Sequence, residues 1–127
     1  MATFEEAKSQ TELVKLRRKE EEDTVKMLAE KYRVPYADLA MIPVNVDALG
    51  IVHEEDARKA WLAIISKTGK KLAIAVANPE RQETRALLDE LGRKNYTWDL
   101  FLVSRSSLEK AWGLYANVAK IARIISG

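Results

Sequence analysis

The chain has 127 residues, 47% hydrophobic and 31% charged, which suits one domain with a real core and excludes a mostly disordered chain. Its 21 basic and 19 acidic residues are interleaved, leaving a net charge of +2 and no basic face of the kind nucleic acids require. Cysteine is absent, which excludes disulfides and thiolate metal sites, and no apolar run approaches the roughly 18–20 residues that span a bilayer.

Residues 4–32 contain neither Pro nor Gly and are rich in Glu, Lys, Leu and Ala, which predicts a helix. Leu13, Leu16, Val25, Leu28, Ala29 and Tyr32 recur at helical spacing. Between them lies a charge block, Lys15, Arg17, Arg18 and Lys19 followed by Glu20, Glu21, Glu22 and Asp23. The block predicts a solvated stretch with the i,i+4 pairs Arg17–Glu21, Arg18–Glu22 and Lys19–Asp23, open to a break there. The last turns, Val25 to Tyr32, are expected to dock on the domain, and Pro35 ends the helix.

Ile42-Pro43-Val44 reads as extended, Asn45 to Gly50 as a short helical turn, and Glu54 to Lys59 as another turn or the approach to a strand. Two apolar runs follow, Ala60 to Ile65 and Leu72 to Ala77, joined by a hairpin connection around Gly69. Asn78 is the expected N-cap of the next helix with Pro79 at its first position; Thr84, Leu87, Leu88 and Leu91 form its inner stripe, and Gly92 stops it. Tyr96 to Val103 predicts a third strand. Ser106, with Glu109 three residues on, has capping-box spacing for a helix that buries Leu108, Ala111, Trp112 and Tyr115. The stripe continues through Val118, Ile121 and Ile125. The expected fold class is α/β, of the two-layer α+β kind: a three-stranded sheet with packed helices and a long N-terminal helix. We expect a charged helix over 1–23, a compact α/β domain over 24–117, and an amphipathic helix or linker over 118–127.

Catalytic chemistry lacks parts. Ser66-Lys67-Thr68-Gly69-Lys70-Lys71 has one glycine where a phosphate-binding loop needs two, and reads as an exposed basic turn. His53-Glu54-Glu55-Asp56 gathers imidazole and carboxylates, but a metal site wants a second His or Cys, and acidic residues also suit a helix start. One His and no Cys leave no nucleophilic triad. Trp61, Trp98 and Trp112 read as core residues. No catalytic, cofactor or metal-binding residue is therefore assigned. The polar, acidic start Met1-Ala2-Thr3-Phe4-Glu5-Glu6 is unlike a signal peptide, so a cytoplasmic location without direct membrane insertion is expected.

One succession of motifs runs from Leu28 to Tyr115. It comprises Leu28-Ala29-Glu30-Lys31-Tyr32, Pro35-Tyr36-Ala37-Asp38-Leu39, Val46-Asp47-Ala48-Leu49-Gly50-Ile51, Leu72-Ala73-Ile74-Ala75-Val76-Ala77-Asn78-Pro79, Leu88-Asp89-Glu90-Leu91-Gly92 and Ser107-Leu108-Glu109-Lys110-Ala111. In this order it resembles the N-terminal domain of the ATPases that drive type II secretion and type IV pilus assembly. The resemblance implies a docking and regulatory module that precedes an ATPase motor domain and binds the cytoplasmic domain of an inner-membrane platform protein. The motor's Walker motif does not occur here, so no ATPase activity is expected of this chain. Some relatives bind cyclic di-GMP through tandem motifs beginning Arg-Leu-Gly; none occurs here, and the nearest string is Leu91-Gly92-Arg93. The family usually has Pro where this chain has His53.

The expected partner surface is Leu13, Val14, Leu16, Arg17 and Arg18 on the N-terminal helix. The alternative is a nucleotide-sensing module using Arg81, Arg85 or Arg93, and a third reading is a small enzyme with a degenerate site at His53.

Overall fold

The computed structural model describes residues 4–117, with side chains from Leu16 onward. Five helices and three strands occur among them: α1 (Phe4–Tyr32), α2 (Val46–Leu49), α3 (Glu54–Ala60), β1 (Leu62–Thr68), β2 (Lys71–Val76), α4 (Gln82–Arg93), β3 (Thr97–Leu102) and α5 (Arg105–Gly113). Val118, Ile121 and Ile125 lie outside the described residues. The sheet order is β1-β2-β3, with β1 antiparallel to β2 and β3 parallel to it. A two-residue turn suffices for the hairpin, and Gly69 supplies the positive φ of 61° at its first position. The parallel pair needs a crossover, which α4 provides.

The sheet register places Leu62, Ile64, Leu72, Ile74, Val76 and Leu102 on one face, each at most 1% exposed. That face is the centre of the core. The stripe Thr84, Leu87, Leu88 and Leu91 is buried as its spacing predicts, as are Leu108, Ala111, Trp112 and Tyr115. The buried Thr84 hydroxyl donates to the Ala60 carbonyl at 2.6 Å, tying α4 to the end of α3. Trp112 Nε1 donates to the Leu62 carbonyl at 3.0 Å, tying α5 to β1.

Several expectations need correction. The charge block does not break α1, which runs unbroken to Tyr32 and ends at Arg33 with φ 57°. None of the three expected i,i+4 pairs is among the ion pairs of the described residues. Asn78 does not cap α4: its side chain accepts from the Glu80 N–H in a local turn, and the helix begins three residues later with Arg81 as N-cap. Gly92 does not stop α4. The left-handed residue beyond it is Asn95, φ 68°, and a Cβ on Gly92 would make only an ordinary contact with the Trp98 ring at 3.6 Å. Ser104, not Ser106, caps α5 by accepting from the Ser107 N–H at 3.1 Å; Ser106 lies within the first turn, and its hydroxyl donates to Glu21. Trp112 is core, whereas Trp61 and Trp98 are half-buried at its margin.

Candidate functional site

α1 reaches the domain through side chains that its own charge block supplies. Glu21 accepts two bonds from one residue at the start of α5: the Ser106 N–H at 3.2 Å and the Ser106 hydroxyl at 2.6 Å. A carboxylate there meets the positive end of the helix dipole as well as a free donor. Glu22 is only 8% exposed and accepts from the Tyr36 hydroxyl at 2.6 Å. Arg18 pairs with Asp38 at 3.5 Å. Burial, then the Glu22 hydrogen bond and charge, push the Tyr36 phenol above its ordinary pKa. Below these clasps Val25 and Ala29 are buried.

Successive residues on an α-helix turn by about 100°, so Leu16 and Met27, eleven residues apart, point almost the same way, opposite Val25. They are 52% and 72% exposed. The expected surface residues are thus divided. Leu16 faces outward, Arg18 turns inward to Asp38, and Arg17 borders a groove of about 340 Å³ between α1 and α5 with Glu21, Ser106 and Lys110. The side chains of Leu13 and Val14 lie outside the described residues.

A second constellation gathers around Trp61. This residue ends α3 in the left-handed region, φ 53° and ψ 52°, a position that helices usually give to Gly or Asn. The Arg81 guanidinium lies 3.9 Å from its ring centroid and that of Arg105 lies 4.2 Å away. Arg105 is also 5.9 Å from the Trp112 ring, over which Arg58 sits at 5.4 Å. The result is an alternating stack, Arg58–Trp112–Arg105–Trp61–Arg81. Arg58 donates to Glu54 at 2.7 Å. Arg81 donates to the Lys59 carbonyl at 3.3 Å, and its Nε stands 3.2 Å from Glu83, paired by charge though not aligned as a hydrogen bond.

The three arginines considered for nucleotide sensing take separate surroundings. Arg81 belongs to the stack, Arg93 borders a cleft of about 340 Å³ between α3 and α4, and Arg85 is exposed; no hydrogen bond or ion pair joins them. His53 is exposed at the N-cap of α3 without a side-chain cap bond, and Glu54, Glu55 and Asp56 occupy that helix's first turn. Among the described residues no group of three or more His, Asp or Glu is placed to hold a metal, and no helix is long and apolar enough to cross a membrane.

Sequence reasoning missed Glu21, Glu22, Tyr36 and Ser106. A signal was present, since Glu21 and Glu22 share a helical face with Val25, Leu28 and Ala29. The Arg–Trp stack joins residues up to 54 positions apart and left no local trace.

Helices packed on a three-stranded mixed sheet place the described residues in the α+β class. The MshEN domain model matches residues 32–120, and the chain belongs to that family, the N-terminal domain of type II secretion and type IV pilus ATPases. Among solved structures, MshE with cdg (cyclic di-GMP) aligns at a TM-score of 0.65 and 26% identity, covering 72% of this chain and 66% of that one. Two crystal forms of the XpsE N-terminal domain share the fold, at TM-scores of 0.57 and 0.58 and identities of 16% and 13%. They cover 75% and 83% of this chain and 66% and 84% of theirs. No curated protein matches.

Proposed function

We propose that this chain is a docking and regulatory domain of a secretion or pilus ATPase, non-catalytic itself, that joins the motor to the cytoplasmic domain of an inner-membrane platform protein. The observation that carries the reading is the outward face of α1. Leu16 and Met27 are large apolar side chains left in water on one line, while the opposite face of the same helix is committed to the domain. An exposed apolar pair on a charged helix suits a helix–helix interface, and of the residues expected at the partner surface Leu16 is the one that carries it. The partner surface thus follows the outward face of α1 across the boundary expected at residue 23, while Arg18, Glu21 and Glu22 hold the helix to the folded body.

The test is calorimetric titration of the chain with the platform cytoplasmic domain encoded beside it. We expect micromolar binding that the Leu16→Glu, Met27→Glu double variant weakens at least tenfold, with its thermal midpoint unchanged. Deleting residues 1–23 is a poorer test, because it also removes the Arg18, Glu21 and Glu22 contacts. Equal affinity in the double variant would sink the α1 surface.

A second reading, cyclic di-GMP sensing, draws on the likeness to MshE with cdg. Against it stand the missing Arg-Leu-Gly and the dispersed Arg81, Arg85 and Arg93. A melting shift on adding cyclic di-GMP, without platform binding, would favour it over docking.

A further inference from the structure

We propose that the Arg58–Trp112–Arg105–Trp61–Arg81 stack is a docking site for an acidic segment of a partner protein. It rests on observations separate from the outward face of α1.

Charge comes first. Three guanidinium groups meet two carboxylates, since Arg58 is matched by Glu54 and Arg81 by Glu83. Arg105 has no hydrogen bond or ion-pair partner from its side chain among the described residues, and it is exposed. Its guanidinium carbon lies 4.2 Å from the Trp61 ring centroid, and a guanidinium carries its N–H donors at its edge. The ring contact restrains the side chain, and such a fork can grip a carboxylate with two parallel bonds.

Backbone conformation adds a second observation. A tryptophan in the left-handed region carries strain, and strain persists where the surrounding fold over-determines it. The Trp61 N–H bonds the Arg58 and Ala57 carbonyls, closing α3, and the ring is thereby delivered between two arginines from different elements.

The surface also selects among anions. The guanidinium groups of Arg81 and Arg105 lie 3.9 and 4.2 Å from the Trp61 ring centroid, so a nucleic-acid base would have to compete with them for the ring. The clefts between α3 and α4 and between α1 and α5 are lined by none of the three arginines or two tryptophans of the stack. A cationic surface with an exposed Arg105 fits the carboxylates of a protein segment.

The experiment uses the full chain labelled with 15N at its tryptophan indoles and titrated with a capped peptide of about ten residues rich in Glu and Asp. A Lys-rich peptide of the same length and an oligothymidylate serve as controls. We expect the Trp61 indole signal to move with the acidic peptide alone, and the response to fade with added salt. Arg105→Gln should weaken binding at least fivefold and Arg105→Glu should abolish it, both with unchanged thermal midpoints. A motionless Trp61 signal at millimolar acidic peptide, an equal response in Arg105→Glu, or a comparable response to oligothymidylate would each overturn the proposal.

Discussion

The sheet and the N-terminal helix are attached to the same core by opposite means. At β1 and β2, Leu62, Ile64, Leu72 and Ile74 are sealed from water and contribute no polar side-chain atom. Across the α1 contact, two apolar residues, Val25 and Ala29, are buried beneath three polar clasps, Glu21–Ser106, Glu22–Tyr36 and Arg18–Asp38. Apolar burial is strong and tolerant of small shifts, whereas hydrogen bonds give little net energy but demand a defined geometry. The sheet is therefore the source of stability, and the clasps set the angle and register at which α1 leaves the domain. For the docking role proposed above, the second property matters as much as the first.

The comparison breaks most readily at its apolar end. Ile74 is fully buried on the central strand, so Ile74→Ala should cost about 2–5 kcal/mol in a urea titration, through lost burial and the cavity left behind. A loss under about 1 kcal/mol would mean that the sheet is not the principal source of stability.

Tyr36→Phe should cost less, about 1–3 kcal/mol, because it removes the donor that Glu22 uses while leaving a buried carboxylate behind. The same variant carries a pH signature. The folded Tyr36 phenol holds its proton more tightly than the ordinary value of 10.0, mainly through burial and then through Glu22. Its contribution is intact below pH 10 and is lost as pH rises beyond it. Tyr115, pushed up to about 12 by burial and then by the Glu54 charge, acts with the same sign. Stability of Tyr36→Phe should therefore fall less steeply above pH 10 than that of the parent chain, though it should still fall. Identical alkaline slopes would remove Tyr36 from the clasp.

The same contrast explains what the sequence disclosed. Strand positions, the α4 stripe and the α5 inner face were legible because apolar periodicity records burial directly. The family resemblance rested on six motifs between Leu28 and Ala111, and the domain match from residue 32 to 120 bears it out. Capping residues were less legible: Asn78 and Ser106 were expected as caps, but Asn78 turns to the Glu80 N–H and Ser106 bonds Glu21, some 85 residues earlier, while Ser104 caps α5. Glu21 and Glu22 were hidden for a related reason. A run of charges ordinarily marks a solvated face, and the partners that bury these two lie on a loop and on another helix. Trp61 was misread because its apolar neighbours suggested a strand, while the chain there is still completing α3.

The smallest effect gives the sharpest discrimination. Ser106→Ala deletes one hydroxyl from the Glu21 clasp but keeps the backbone N–H at 3.2 Å, and the site is only part-buried, so water replaces much of what is lost. The global cost should be about 0.5–1.5 kcal/mol or less. Its location is what matters. If α1 is held by local polar clasps, hydrogen exchange should quicken at amides of α1 from Arg18 to Ala29 and remain unchanged in β1 and β2. Ser106→Asp should quicken the same amides further, because it sets a second carboxylate against Glu21 while changing nothing in the sheet. Faster exchange throughout the sheet in Ser106→Ala would show that α1 and the core form one cooperative unit, and the division of labour between apolar core and polar clasp would fail.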